Sequence, residues 1–250
     1  MLRVLVEDLS QFAETTVVLE ERFELALDCH HQVAYDPDQS LWAQWVAAAS
    51  GCDAALIIAP ESDGILAKGV SALRSSGVDV VAGSGDFLRV ASDKLLSAQV
   101  LHSSGVAHPP YIAVADERMV GVVAGYQRFV VKPRDGCGTE AIQTFNDFRE
   151  ARKTLCARTI MQGWVPGQSI SISLISSGNR QTFLPAVSQS LGGDCCQYAG
   201  GCGPLNDTAQ RRATALAARA VAAMPPKARG YVGLDLVLGE TPSQDCVIEI

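Results

Sequence analysis

The chain has 250 residues, 48% hydrophobic and 19% charged, so it can bury a core as one multi-lobed unit or two small domains. A net charge of −7 without any Lys/Arg-rich run argues against a nucleic-acid partner. The chain opens with no signal-peptide pattern and contains no apolar run near the ~20 residues of a membrane helix. We therefore expect a cytoplasmic protein with no membrane partner, and its eight cysteines, which include no C-x-x-C pair, to be reduced.

The first 86 residues predict an α/β domain. Strand and helix patterns alternate there, with strands expected over 2–6, 32–34, 54–59 and 78–81 and helices over 10–26, 40–49 and 64–75. Alternation of this kind is typical of a parallel sheet that is covered by helices.

Residues 93–105 predict a helix with a lysine in its first turn. Asp93 is a candidate N-cap, Lys94 begins the helix and Gly105 ends it. An ammonium group in the first turn opposes the helix dipole, which favours a bound anion nearby. The alternative is an ordinary surface lysine.

A strand followed by a glycine-rich turn predicts a phosphate-binding loop. The apolar run Phe129–Val131 leads into Lys132, and Gly136 and Gly138 allow backbone N–H groups to close around an anion. The pattern differs from the Walker loop and from G-x-G-x-x-G. The alternative is a strand that ends in an exposed hairpin.

The remaining elements surround a second glycine-rich tract. Helices are expected over 146–157 and 209–224, and strands over 159–161, 169–175 and 181–187. The segment 162–167 between them is able to line an adenine slot with backbone groups. Five glycines among residues 190–207 predict a linker or a mobile loop that faces substrate, not a helix or a central strand.

Two acids near the C-terminus predict a metal site. If Tyr231–Leu238 and 246–250 form a hairpin centred on Pro242, Asp235 lies opposite Glu249 and Val237 opposite Val247. Two carboxylates that close repel one another unless a cation lies between them, and Mg²⁺ with phosphate oxygens suits such a pair. A slip of one residue would place the acids on different faces, and the alternative is two acids that face solvent.

Taken in this order, the two lysines, the glycine loop, a junction between lobes and the acid pair resemble the ATP-grasp superfamily. The likeness is closest to its carboxylate–amine ligase branch, which includes tyramine–glutamate ligase. The similar segments are 92–94 with 101–110, 130–138, 161–167 with Ser171, 198–204, 233–235 and 248–250. Two departures stand out: Gly163 replaces the usual Glu, and the sequence stops at Ile250 where the family pattern continues Glu-x-Asn-Pro-Arg.

The resemblance implies an α/β fold in which an N-terminal domain with a parallel sheet (1–86) precedes an ATP-grasp domain of two α+β lobes (87–250). The small nucleotide lobe is expected at about 107–165, and the C-terminal lobe at about 166–250 with its end truncated. The implied activity is ATP-dependent ligation of a small-molecule carboxylate to an amine through an acyl phosphate, and a homo-oligomer is left open. The alternatives are a non-catalytic ATP- or ADP-binding module and an α/β domain that binds another anionic metabolite.

The resemblance also implies roles for individual residues. Lys94 and Lys132 are the expected catalytic residues, and the expected metal ligands, for Mg²⁺ or Mn²⁺, are Asp235 and Glu249. The expected ATP-binding residues are Lys94, Lys132, Gly136, Gly138, Gln162, Trp164, Val165 and Ser171. The expected substrate loop carries Tyr198, Gly200 and Gly201.

Overall fold

The computed structural model describes residues 2–20, 22, 26–136, 141–177, 180–193 and 196–250. The chain divides into two compact units, Met1–Pro60 with Ile65–Ala82 and Glu61–Gly64 with Gly83–Ile250. Among the helices within these residues, none has the length and apolar character required to cross a membrane.

In its described residues, the first unit combines parallel strands with three helices. Strands β1 and β2 pair in parallel, and Ala55 forms a single parallel bridge with Val80. Gly69 lies against the rings of Trp42 and Trp45, where a Cβ atom would come within 2.8 Å of the Trp45 ring. The elements are α1 (Leu2–Leu9), β1 (Thr16–Leu19), β2 (His31–Ala34), α2 (Leu41–Ala49) and α3 (Ile65–Ser75).

Several strand and helix predictions in this unit are wrong. The expected strand over 2–6 is helix α1, in which Arg3 and Glu7 form an i,i+4 ion pair of 2.8 Å. A short apolar run fits either structure, so periodicity could not decide between them. The expected helix over 10–26 contains strand β1, whose Thr-Val-Val sequence is rich in β-branched residues. The strands expected over 54–59 and 78–81 reduce to the one bridge.

The second unit begins with two helices that lead into a four-stranded sheet. The strand order is β3-β6-β4-β5, and all neighbours are antiparallel. Asp93 caps α5 as predicted, because its carboxylate accepts hydrogen bonds from the amides of Leu95 and Leu96. The elements are α4 (Gly85–Ala91), α5 (Lys94–Ser103), β3 (Tyr111–Ile112), α6 (Val120–Val123), β4 (Phe129–Pro133), β5 (Gln143–Phe145), α7 (Phe148–Lys153) and β6 (Thr159–Gly163).

A six-stranded sheet forms the rest of the second unit. Its order is β10-β9-β7-β11-β12, and β8 pairs with β7. Alternate residues of β7 and β11, such as Ile172 and Leu234, are buried in one core with Leu216 and Ala217 of α8. The opposite face is partly open and carries polar side chains. The elements are β7 (Gln168–Ser177), β8 (Gln181–Phe183), β9 (Val187–Gly192), β10 (Gln197–Cys202), α8 (Asp207–Ala223), β11 (Arg229–Leu238) and β12 (Cys246–Glu249).

The glycine-rich tract over 190–207 differs from the expectation of a linker or mobile loop. It contributes the end of β9 and all of β10, which pair antiparallel. β10 is the edge strand of the large sheet, and its register shifts between Tyr198 and Gly200. Gly200 has φ of +124°, a conformation that side chains rarely adopt, so the glycine permits the irregularity instead of preventing a strand.

The predicted C-terminal hairpin is half right. Asp235 does pair with Glu249, but Val237 pairs with Cys246 and not with Val247. The register shifts by one residue between Asp235 and Leu236, so Ile248 is a bulge in β12. Both acids point to the open face of the sheet, where the site is built.

Candidate active site

Lys94 is fixed at the point where α5 begins beside the end of β4. Its backbone amide donates to the carbonyl of Arg134 at 2.8 Å, and the Arg134 guanidinium donates to Asp93 with Nε–Oδ1 of 3.1 Å. The ammonium group then donates to the carbonyl of Gly136 at 2.8 Å. One lysine therefore contacts the start of the predicted phosphate loop, and because it is buried it is not the ordinary surface lysine that was the alternative.

Lys132 lies in the middle of the small sheet with its ammonium group directed towards the large one. It pairs with Ile160 of β6 and is only 3% exposed. Burial lowers the pKa of this lysine, and the negative charge of Glu249 opposes the shift. Its Nζ lies 3.4 Å from the carbonyl oxygen of Ile248 and 3.8 Å from Oε2 of Glu249.

Glu249 joins both lysines. Its Oε1 lies 2.7 Å from Nζ of Lys94, while its Oε2 faces Lys132. The two ammonium groups come from a helix and from the small sheet, and the acid comes from the large sheet. The cluster therefore stabilises the contact between the two sheets of the second unit.

Asp235 stands beside Glu249 on the neighbouring strand. Its Oδ1 accepts from Nε2 of Gln189 at 3.0 Å, and the hydroxyl of Ser171 also donates to it. Burial, followed by the charge of Glu249, raises the pKa of Asp235, and the two donors oppose the shift. Directly opposed residues have Cβ atoms about 5 Å apart, so both carboxylates are able to reach one cation.

The donor set fits a hard divalent cation. Two carboxylates raise each other's proton affinity, and a Mg²⁺ ion between them would relieve that repulsion. In the described part of the chain, no group of three or more His, Cys, Asp or Glu side chains is arranged to hold a metal. Mg²⁺ suits two carboxylates because it completes its coordination with water and phosphate oxygens.

A pocket of about 200 Å³ opens beside the lysines. It is lined by Ser62, Asp63, Lys94, Lys132, Pro133, Asp135, Gly136, Ala141, Ile142 and Arg158. Arg158 pairs with Asp63 at 3.2 Å and with Asp135 at 3.8 Å across its mouth. These are dimensions and charges that suit phosphate groups. A larger, open depression at the start of α8 contains neither lysine nor the acid pair, and its Arg212 is paired with Asp245.

The predicted adenine segment follows β6. Gln162 is buried, and its Nε2 lies 3.1 Å from Nε2 of His108. The indole of Trp164 packs under the Arg128 guanidinium, with 4.1 Å from Cζ to the ring centroid. The amide of Trp164 donates to the carbonyl of Arg128, whereas the amide of Val165 donates to no acceptor in the described residues. Val165 therefore offers a free backbone donor to a ligand.

The predicted substrate residues lie on the edge of the large sheet. Gly201 pairs with Gln189, the residue that donates to Asp235, and a Cβ at Gly201 would lie 2.6 Å from the carbonyl of Ser188. Tyr198 is 55% exposed on the same strand. Gly138, predicted to bind phosphate, lies outside the described residues.

Three polar residues near the site are not among the site residues predicted from the sequence. Gln189 orients Asp235, His108 contacts Gln162, and the pKa of Glu61 is raised by burial and then by the charge of Glu249, with Lys94 opposing. The sequence could have indicated Glu61, because this acid follows an apolar run and Pro60. Functional acids of α/β folds often lie at such a place, just after a strand. Gln189 and His108 stand in no recognisable motif.

Comparison with known families identifies the family of the chain. The sequence model of the ATP-grasp domain matches residues 91–250, and that of the pre ATP-grasp 3 domain matches residues 13–86. The chain belongs to the ATP-grasp family. No curated protein matches it.

Solved structures share the fold at low identity. An ATP-grasp superfamily protein from Archaeoglobus fulgidus is 22% identical with a TM-score of 0.70, covering 99% of this chain and 74% of its own. Carboxyaminoimidazole ribonucleotide synthase from Aspergillus clavatus, complexed with ATP, is 19% identical with a TM-score of 0.72, covering 99% and 66%. D-alanine–D-alanine ligase from Bacillus anthracis is 18% identical with a TM-score of 0.64, covering 88% and 75%.

The chain spans only part of the length of several structural relatives. It spans 56% of the N5-carboxyaminoimidazole ribonucleotide synthetase of Thermotoga maritima and 66% of the N5-carboxyaminoimidazole synthetase of Staphylococcus aureus. At these identities the likeness shows the fold alone.

Gly163 has a structural reason to lack a side chain. A Cβ atom built there would lie 2.6 Å from the ring of Tyr126. The ring occupies the space that a glutamate at this position would need. In this ATP-grasp chain, Gly163 departs from the family pattern together with Tyr126, whose ring fills the space of the missing side chain.

We predict that stability depends on His108 at mildly acidic pH. Its Nδ1 donates to the carbonyl of Pro109, and burial, then the charge of Lys132, lowers its pKa to about 3. Between pH 6.5 and 3 the unfolded chain binds a proton that the native chain does not, so stability falls as the pH falls. At pH 5 the loss relative to pH 7.5 should be about 2 kcal/mol. Urea denaturation of wild type and His108→Gln at both pH values tests this, and equal losses in the two proteins would contradict it.

We predict that Gly163→Ala destabilises the protein through Tyr126. The clash should cost about 1–3 kcal/mol, typical of an overpacked site. Combining it with Tyr126→Ala should cost less than the sum of the single changes, because the second change removes the ring that the Cβ meets. Thermal unfolding of the double-mutant cycle provides the measurement, and strictly additive losses would show that the two residues do not interact.

Proposed function

We propose that this ATP-grasp chain is an ATP-dependent carboxylate–amine ligase. The observation that carries the proposal is the arrangement of Lys94 and Lys132 against the Asp235–Glu249 pair, next to a pocket at the glycine loop. Cations for the phosphates and acids for a metal are the requirements of phosphoryl transfer, in which the protein mostly positions and stabilises charge. The resemblance of the chain's motifs to the branch that includes tyramine–glutamate ligase is the reason for proposing an amino-acid-like carboxylate and an amine as substrates.

The nucleotide would lie between the two sheets of the second unit. Lys94 and Lys132 would leave Glu249 to meet phosphate oxygens, and the loop that starts at Gly136 would contribute backbone donors. The base would pack beside Gln162 and Val165, where the free amide of Val165 would donate to a ring nitrogen. Asp235 and Glu249 would hold Mg²⁺ or Mn²⁺, which supplies positive charge to the phosphate oxygens.

The reaction would take place in two steps over the open face of the large sheet. A substrate carboxylate oxygen attacks the γ-phosphorus, the bond to the β–γ bridging oxygen breaks, and ADP leaves. An amine then attacks the carbonyl carbon of the acyl phosphate and expels phosphate, and the nitrogen loses a proton. The lysines stabilise charge on the transferring group, and Gln189 and Ser171 keep Asp235 in place.

We predict that Lys132→Met and Asp235→Asn each abolish turnover and leave the fold intact. Methionine keeps the buried stem of Lys132 without its charge, and asparagine removes the charge that the metal requires. Hydroxylamine traps acyl phosphates as hydroxamates, so the assay needs no knowledge of the amine: ATP, Mg²⁺, hydroxylamine and a panel of amino acids, including glutamate, are supplied. Hydroxamate and ADP should form in equal amounts in wild type and fall by at least about 10³-fold in either variant.

Lys153→Met is the matched control, because Lys153 is exposed on α7 and pairs only with Glu150 among the described residues. Full activity in either site variant would remove that residue from the mechanism. Tight binding of ADP with no hydroxamate from any acid would instead favour a non-catalytic nucleotide-binding module.

We predict that Glu249→Gln has opposite effects on ADP binding with and without metal. In the free protein Glu249 competes with phosphate for both lysines, so its neutralisation should strengthen metal-free binding by about 5–10-fold. With Mg²⁺ present the same change should weaken binding, because a metal ligand is lost. Calorimetric titration in EDTA and in Mg²⁺ measures both.

Glu240→Gln is the control for this experiment, since Glu240 is an exposed acid between β11 and β12. It changes the net charge equally and should leave both affinities unaltered. A loss of affinity in EDTA for Glu249→Gln would contradict the proposed competition.

A further inference from the structure

His108 is a partly buried polar residue that the proposed reaction does not use. It lies on the segment that leads into β3, and its ring meets that of Tyr111 edge-on with centroids 6.0 Å apart. Two hydrogen bonds define its state: Nδ1 lies 2.8 Å from the carbonyl oxygen of Pro109, and Nε2 lies 3.1 Å from Nε2 of Gln162.

The first hydrogen bond fixes the tautomer. A carbonyl oxygen only accepts, so Nδ1 must carry the proton that it donates to Pro109. Burial, then the charge of Lys132, keeps the pKa of His108 at about 3, so the ring is neutral at physiological pH. Its Nε2 is therefore a bare acceptor.

The tautomer in turn fixes the carboxamide of Gln162. A bare Nε2 requires a donor, so the amide nitrogen of Gln162 faces His108 and its oxygen faces away. That oxygen accepts no hydrogen bond from the described residues. Because no buried side-chain polar atom in the described part of the chain lacks a partner, the oxygen must be open to solvent.

The open oxygen lies on the lysine side of the small sheet. Gln162 pairs with Val130 and Ile160 pairs with Lys132, so the side chains of Gln162 and Lys132 share one face of β4 and β6. Val130, next to Gln162 on that face, is only partly buried. The acceptor therefore faces the space where the proposed function places the nucleotide base.

We propose that His108 is a positioning residue that makes the site select adenine over guanine by holding Gln162 with its oxygen towards the base. Adenine presents an amino group at C6, which donates to that oxygen, whereas guanine presents an oxygen there, which the same acceptor repels. If the carboxamide were free to turn, its NH₂ group would serve guanine equally well. The inference rests on the proposed nucleotide site.

Two substitutions of His108 separate its hydrogen bonds. His108→Gln places an amide near the position of Nε2 and is able to accept from Gln162, whereas His108→Asn reaches only the position of Nδ1 and keeps the bond to Pro109. Calorimetric titrations with ADP and with GDP in Mg²⁺ give the affinity ratio for each protein. We expect wild type to prefer ADP by at least about tenfold, His108→Gln to keep a smaller preference because its amide is also able to turn and donate, and His108→Asn to lose most of the preference.

If His108 had only a structural role, its substitution would lower the affinity for both nucleotides equally and leave the ratio of the ADP and GDP affinities unchanged. An unchanged ratio in His108→Asn therefore overturns the proposal. If His108→Asn fails to fold, Gln162→Met removes the acceptor while leaving His108 in place, and a retained preference for ADP in that variant overturns the proposal as well. Wild type that binds ADP and GDP equally overturns the inference but not the proposed function. Wild type that binds neither nucleotide overturns both.

Discussion

The contact of one carboxylate with two ammonium groups organises the second unit. Glu249 comes from the large sheet, Lys132 from the small sheet and Lys94 from the first turn of α5, and the acid lies 2.7 Å from one lysine and 3.8 Å from the other. Lys132 is almost completely buried, and a buried charge without its partner is strongly destabilising. The chain therefore needs an anion at this point in every state, and the free protein supplies Glu249.

Because the lysines need an anion, the free chain would keep the proposed binding site assembled around Glu249 while leaving it open to a ligand. In the proposed function, a phosphate group would bring the anion that the lysines need, and a divalent cation would bring the charge that Glu249 needs after it loses them. Gln189 and Ser171, which carry no charge, hold Asp235 in the free chain and would keep it in position during this exchange. Exchange of ionic partners costs less than exposure of unpaired charges, because the buried groups stay neutralised throughout.

The sequence predicted the fold class and the pairing of the chemical groups better than the individual elements. The correct predictions concern local features: Asp93 as a helix cap, Lys132 near the end of a strand and Asp235 opposite Glu249. Each depends on a short spacing along the chain, which the geometry of helix caps and strand pairs limits to a few arrangements. The predictions for the short apolar runs at 2–6 and 54–59 are wrong, because such runs fit a helix, a strand or a single bridge and only tertiary packing decides among them. The contact between His108 and Gln162 joins residues 54 positions apart and left no local signal.

The bulge at Ile248 shows why the register was only half predictable. One extra residue in β12 keeps Asp235 opposite Glu249 while shifting every pair that follows, and it places the carbonyl of Ile248 within 3.4 Å of the ammonium group of Lys132. The irregularity thus gives the buried lysine a second, uncharged acceptor.

A consequence concerns insertions and deletions. Val247 pairs with Leu236 in the core and Glu249 pairs with Asp235, so removal of the extra residue Ile248 would regularise the ladder and leave the acid opposite Asp235, but it would take away the carbonyl that Lys132 meets. The number of residues in this short strand is therefore constrained more tightly than the identity of Val247 or Ile248. We expect natural variation here to exchange one apolar residue for another and to leave the length of the strand unchanged.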